Sequence, residues 1–231
     1  MPLALAVVFA LVSWQVAVDG PLLALDTGTR HGVRELHHLL DSTLLNHLGA
    51  ALSDLGGGVP AVPVLLLAAA LAAQRRRRAG AGRWWLPLPT AGVTALLIPL
   101  LVVPAKSWFA RPGPYGLPLA PDQWGWYPSG HTATSSIAYG AAALLLGPTL
   151  GSSTARQRLY GATALLCLGV GLGLVWSDYH WLLDVVASWC LAGVLLWFLV
   201  RFQDRFQDRF QDGFQERAED PSQDGRGPGG A

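Results

Sequence analysis

Apolar residues fall along this chain in long blocks separated by short polar segments. Six blocks, at 3–18, 59–73, 85–104, 132–150, 159–176 and 181–200, approach the roughly 20 residues that a helix needs to cross a hydrocarbon core of about 30 Å. They predict an all-α integral membrane protein, a six-helix bundle over residues 1–200. The second block is the shortest and carries Pro60 and Pro63 at its entrance. No basic residue precedes the first block and no convincing cleavage site follows it, so it reads as a membrane helix rather than a removed signal. Between the first two blocks, ELHHLLDSTLLNHLGAAL (35–52) places Leu36, Leu39, Leu40, Leu44, Leu45 and Leu48 near helical spacing, predicting a helix on the membrane surface or against the bundle. After residue 200 comes a repeat of period four, RFQD RFQD RFQD GFQE. In a helix it aligns Phe202, Phe206, Phe210 and Phe214 as a slowly drifting stripe with Arg and Asp three apart. A juxtamembrane helix over 201–217 is one account of it, and a repeat expansion without a role is the other. Residues 218–231 are too polar and too rich in Gly to bury a core, and predict disorder.

Composition agrees with the bilayer: 52% of the residues are hydrophobic and only 13% charged. A net charge of +1 says little, whereas the placement of the charges says more. With the N-terminus inside, the cytoplasmic segments hold Arg75 to Arg78 and Arg83, Arg156 and Arg158, then Arg201, Arg205, Arg209, Arg217 and Arg226, twelve of the sixteen basic residues. Arg30, Arg34, Lys106 and Arg111 remain outside. This asymmetry, and an even number of spans, predict a cell-membrane protein with both termini cytoplasmic. Cys167 and Cys190 lie within spans and read as small buried apolar side chains. Membrane lipids are the expected surroundings, and no nucleic acid partner is expected.

Three groups of ionisable residues stand at span ends on one predicted side, and such residues are costly to retain near a membrane. They are AKSWFARPGP (105–114), YPSGHT (127–132) and SDYHWLLD (177–184). His180 and Asp184 are four apart, so on a helix a carboxylate can hold one imidazole nitrogen and leave the other free. A structural hydrogen bond near a helix end is the plainer account of that pair alone. Pro128 and Gly130 favour a turn that aims backbone N–H groups outward, an anion site, to which Ser129 adds a hydroxyl and His131 a proton donor. A simple helix-entry turn would look the same. Lys106 and Arg111 offer fixed positive charge, the guanidinium as a fork suited to phosphate, although either alone could serve headgroups. Together these groups can move a phosphoryl group through a histidine intermediate without metal or cofactor: His180 attacks, Asp184 orients it, His131 protonates the leaving oxygen, and Lys106, Arg111, Ser129 and Gly130 hold phosphate. His37, His38 and His47 complete no recognisable metal site.

At these residues the chain resembles the type 2 phosphatidic acid phosphatase superfamily, whose members share the motifs K-x6-R-P, P-S-G-H and S-R-x5-H-x3-D with vanadium-dependent haloperoxidases. The second motif is intact as Pro128, Ser129, Gly130 and His131, and the likeness covers about 84–200. It implies a six-span phosphatase with the same roles for His180, Asp184 and His131. Two family arginines are absent: the first motif's falls on Gly113, with Arg111 two residues earlier, and the third motif's serine and arginine fall on Gly173 and Leu174. The expected activity is hydrolysis of a lipid phosphate monoester or diphosphate at the external face. A phosphotransferase or lipid-phosphate binding protein, and a transporter or structural membrane protein, are the alternatives. Lipid identity and oligomeric state are not encoded in any motif.

Overall fold

The structure, a computed structural model, describes residues 2–116, 118–120 and 122–219, with 203–219 described as backbone. Among the described residues there are eight α-helices and no strand: α1 (Pro2–Ala17), α2 (Ala24–Leu40), α3 (Thr43–Asp54), α4 (Gly58–Arg78), α5 (Pro87–Phe109), α6 (Gly130–Leu146), α7 (Ser153–Trp176) and α8 (Leu182–Glu219). The six apolar blocks lie on α1 and α4 to α8. Four of these, α4, α5, α7 and Leu182–Phe202 of α8, are long and apolar enough to cross a membrane, and α1 with α2 would make a fifth across a 92° bend. The count by length is therefore four or five rather than six. The reason is local: α6 has 17 residues, about 25 Å of rise, before Pro148 turns the chain, and α1 has 16.

The bend after α1 is built by three neighbouring residues. Asp19 takes a left-handed backbone (φ 48), and the Gln15 side-chain oxygen accepts a hydrogen bond from Leu22 N at 3.1 Å. A Cβ at Gly20 would stand 2.3 Å from that oxygen, so a larger residue there would have to push the Gln15 side chain out of this bond. The surface helix expected over 35–52 is divided in two. Asp41 ends α2 in a left-handed conformation (φ 35), and Ser42 caps α3 by accepting from Leu45 N at 3.4 Å. Leu39 and Leu44 remain 80% and 68% exposed, and the other leucines of that pattern are also uncovered. They present an apolar surface to whatever surrounds the bundle.

At the centre stands α6, which packs against α4, α5 and α7. Its buried positions are mostly small, including Ala133, Ser135, Ala138, Ala141 and Ala142. Small side chains let helices approach closely where there is no water to drive them together. The contact of α3 with α7 uses the same device through Gly49, Gly169 and Gly173. A Cβ on Gly173 would lie 2.8 Å from the Gly49 carbonyl oxygen, a backbone atom that cannot swing aside. One on Gly169 would meet only the Leu52 side chain at 3.4 Å.

Among the described residues, those up to Leu196 form one compact unit and those from Trp197 onward another. Within the second, Trp197 and Phe198 meet edge to face at 5.0 Å, and the Arg201 guanidinium lies over the Trp197 ring. The backbone of the RFQD repeat is helical. Its side chains beyond Phe202, and the tail from 220 onward, lie outside the described side chains and residues.

Replacing either α7 glycine by alanine gains helix propensity equally, so the difference between two variants reports the contact. Gly173→Ala is expected to lose about 1–3 kcal/mol, lowering the unfolding midpoint in detergent by about 2–10 °C, while Gly169→Ala holds or raises it. Equal midpoints for the two variants would contradict this packing.

Candidate active site

The turn before α6 and the first turn of α8 are stitched together. Ser129 is the N-cap of α6, its hydroxyl accepting from Thr132 N at 3.3 Å and from the Thr132 hydroxyl at 3.0 Å. Its own N–H donates to the Asp184 carbonyl at 3.1 Å. The Ser188 hydroxyl donates to the Ser129 carbonyl (2.9 Å) and the Asp184 carbonyl (2.8 Å). Ser129, Asp184 and Ser188 have no exposed surface. Two segments some fifty residues apart thus form one rigid corner, and Ser129 spends its hydroxyl on the cap.

Asp184 lies in the first turn of α8 and His180 in the segment ahead of it. His180 Nδ1 and Asp184 Oδ2 are 3.1 Å apart, and Trp181 N donates to the same oxygen at 3.3 Å. A carboxylate on Nδ1 selects the tautomer whose Nε2 carries the lone pair, and among the described residues Nε2 has no hydrogen-bond partner. The backbone N–H groups of Tyr179 and His180 donate to the Leu174 carbonyl at 2.9 and 3.3 Å, which fixes the chain entering the site. Burial pushes His180 below the ordinary imidazole range. The Asp184 carboxylate opposes that shift, and the charges of Lys106 and Arg111 add to it. His131, at the second position of α6, is solvent-exposed and within electrostatic reach of both His180 and Lys106.

Lys106 and Arg111 are both brought to this corner, in different ways. Lys106 Nζ donates to the Gly125 and Trp126 carbonyls at 2.9 and 3.1 Å. Its Cε would be 3.4 Å from a Cβ on Gly130, so the lysine lies along the backbone of the P-S-G-H turn. Arg111 is 8% exposed and held by two carboxylates, Nη1 to Asp184 Oδ1 and Nη2 to Asp26 Oδ2, each at 2.5 Å. The guanidinium expected to grip phosphate is therefore already engaged on its two terminal nitrogens.

Asp26 is a site residue that no motif signals. Its Oδ1 accepts from Leu183 N at 2.8 Å, so a side chain of α2 caps the first turn of α8. Arg30 and Arg34 also come to the site's edge. Both of Asp178's carboxylate oxygens accept from Arg30, at 2.7 and 2.8 Å, and one accepts from Arg34 at 3.0 Å. Burial pushes Asp178 up, but the two guanidiniums outweigh it and hold the carboxyl below its usual range. Asp178 itself has a left-handed backbone (φ 58) two residues before His180. Among the described residues no group of three or more His, Cys, Asp and Glu is placed to hold a metal ion. His37 instead bonds to the Trp176 carbonyl at 3.0 Å and stacks on that ring.

With this geometry in hand, comparison with known proteins gives two matches. The family model of the PAP2 superfamily matches residues 84–208. A search of curated proteins finds no match. Among solved structures, the chain is similar to the first transmembrane PAP2 type phosphatidylglycerolphosphate phosphatase from Bacillus subtilis, with a TM-score of 0.72 and 20% identity over 88% of this chain and 96% of that one. At that identity the likeness speaks to the fold, that of a multi-pass membrane bundle.

The two departures from the motifs have a packing cause. A Cβ at Gly113 would lie 2.6 Å from the Trp126 indole, and one at Gly173 meets the Gly49 carbonyl. Leu174 is 1% exposed in an apolar cluster with Val170 and Val185. The positions of the missing arginines are thus occupied by other groups. Restoring them should damage the fold: Leu174→Arg buries an unpaired charge at a cost of several kcal/mol and is expected to abolish the monodisperse species on size exclusion. A folded Leu174→Arg protein with an unchanged unfolding midpoint would show that this cluster has room to spare.

Proposed function

The chain belongs to the PAP2 superfamily, and from that premise we propose that it is a phosphatase that hydrolyses a lipid phosphate monoester or diphosphate at the external membrane face. The observation that carries this reading is the buried His180–Asp184 pair, with Nε2 of the histidine free of hydrogen bonds among the described residues and the ring within electrostatic reach of Lys106 and of His131 at the start of α6. His180 Nε2 attacks phosphorus while the bond to the leaving oxygen breaks, and protonated His131 gives that oxygen its proton. Lys106 and the N–H groups at the start of α6 face the charge that develops on the phosphoryl oxygens. Arg111 adds positive charge from its place between Asp26 and Asp184. In the second step neutral His131 takes a proton from water, the water oxygen bonds to phosphorus, the P–N bond breaks, and phosphate leaves with His180 restored.

Topology supports the external placement. The basic run Arg75 to Arg78 closes α4, the next helix α5 begins at Pro87, and Lys106 lies near its far end, about 30 Å of rise away. The arginine-rich end and the site therefore occupy opposite ends of α5, as retention of basic residues in the cytoplasm requires. With the site drawn from the starts of α6 and α8, the shorter α6 and α1 cross as well on this reading, which leaves both termini cytoplasmic. By the same reading, residues 1–200 are the phosphatase domain and 201–217 a helix along the headgroups. The absence of arginines at 113 and 174 favours, as the second reading, a relative that binds or transfers the phosphoryl group without releasing phosphate.

Phosphate release from detergent-dispersed phosphatidate, polyprenyl diphosphate and phosphatidylglycerol phosphate, with EDTA present, tests this directly. Wild type is expected to release phosphate from at least one, His180→Ala from none, and Asp184→Asn at a rate lower by about a hundredfold or more. Because neutral His180 is the nucleophile and burial lowers its pKa, the acid limb of kcat/KM should fall below pH ~6.5. Folded wild-type protein that releases no phosphate from any of the three would move the assignment to the non-hydrolytic reading.

A further inference from the structure

Asp26, Arg111, Asp184 and His180 form a continuous buried chain. Asp26 is 2% exposed, Arg111 8%, Asp184 0% and His180 8%. Counted with both carboxylates ionised on the guanidinium and His180 neutral, the chain carries a single net negative charge. Asp26 lies on α2, outside the segment that matches the family, and Arg111 lies two residues from the motif's arginine position. The part that Asp26 plays is therefore not given by the shared motifs.

A guanidinium bonded to Asp184 alone would cancel its charge and leave a nearly neutral pair facing the imidazole. Asp26 changes that balance, because it shares the guanidinium through Nη2 while Nη1 holds Asp184. We propose that Asp26 is a positioning residue: by binding Arg111 and capping Leu183, it fixes the first turn of α8 and leaves Asp184 with negative charge for His180. The charge is needed when His180 Nε2 bonds to phosphorus. The lone pair becomes the N–P bond, the ring becomes cationic with its proton on Nδ1, and the buried chain goes from one net negative charge to none. This role rests on the phosphohistidine reading above, while the electrostatic arrangement can be measured without it.

The groups that face His180 are Asp184 from α8, Lys106 from α5, Arg111 after α5 and His131 from α6, with Asp26 acting through Arg111. Titration of the imidazoles by NMR in detergent, with His180 assigned by its loss in His180→Ala, reads their balance without turnover. Asp26→Asn keeps an acceptor for Leu183 N and removes the charge, so the His180 midpoint should fall by about one pH unit. Asp26→Glu should leave it close to wild type. Arg111→Gln should raise it, and the double variant Asp26→Asn with Arg111→Gln should return it towards wild type. If wild type is active, Asp26→Asn should lower kcat by about 10–100-fold with KM within about twofold. A purely structural Asp26 predicts a lower unfolding midpoint with the His180 titration unmoved, and that result in a folded variant overturns the proposal. Should Asp26→Asn not fold, Arg111→Gln and the double variant still decide it, since failure of the double to reverse the single's shift refutes the charge sharing. A wild type without phosphatase activity would refute the catalytic reading, and the titrations would still stand or fall on their own.

Discussion

Asp184 is buried without any exposed surface at the first turn of a membrane helix, and the rest of the site is arranged around the need to supply its carboxylate with donors there. A buried carboxylate costs several kcal/mol unless donors replace its water. Asp184 Oδ1 takes Arg111, and Oδ2 takes His180 Nδ1 and Trp181 N. Each donor brings its own element with it. Arg111 ties in the segment after α5 and, through Asp26, the bent α2. The Asp184 carbonyl binds Ser129 N and so seats the turn that opens α6. One residue, through its carboxylate and its backbone carbonyl, thus has consequences for four helices, and the histidine it orients is held by the same bonds that hold the fold.

The bilayer explains why this network sits where it does. Helices in hydrocarbon satisfy their own backbone, and an ionised group is tolerated only near an end or against a partner. Lys106, Arg111, His131, His180 and Asp184 all lie at or beyond helix ends, while the interior is closed by alanine, serine and glycine. The tight packing carries a constraint. Where Gly113 meets Trp126, and Gly173 meets the α3 backbone, no larger side chain can enter, and the cations of the site must come from elsewhere.

The parts of this arrangement that are local in sequence could be read from it. His180 and Asp184 are four apart, and Ser129 precedes a helix start. The Ser129 cap follows from helix-start geometry, and the four-residue spacing suits the His180–Asp184 bond even though His180 stands just ahead of α8. The all-helical class followed from the apolar blocks in the same way. The partnership of Asp26 with Arg111 spans 85 positions and carries no pattern: an aspartate in the first turn of α2 looks like any residue favouring a helix start. Arg111 was legible as a site residue, yet its engagement by two carboxylates was not. The split of the surface helix at Asp41 and Ser42 did have a signal, a cap residue in mid-pattern, which the run of leucines outweighed.

The scarcity of arginines bears on what kind of substrate such a site can serve. Arg111 shares its guanidinium with two carboxylates, whereas Lys106 bonds only to two neutral carbonyls and keeps its charge, so a single ammonium is the main positive charge that meets an incoming phosphate. Ground-state binding of a small soluble phosphate should be weak on these terms. A lipid is different, because confinement to the bilayer raises its effective concentration at the mouth of the site without any new contact to the headgroup. Its acyl or prenyl chain also contributes binding energy far from the reacting atoms, which can be used to place phosphorus against His180 Nε2. On the proposed reading, with His180 as the nucleophile, a site with few free cations is better matched to a substrate delivered by the membrane than to one captured from water. The exposed leucines of α2, the helix that supplies Asp26, and of α3 offer apolar surface to the surrounding bilayer, which agrees with the proposed lipid route.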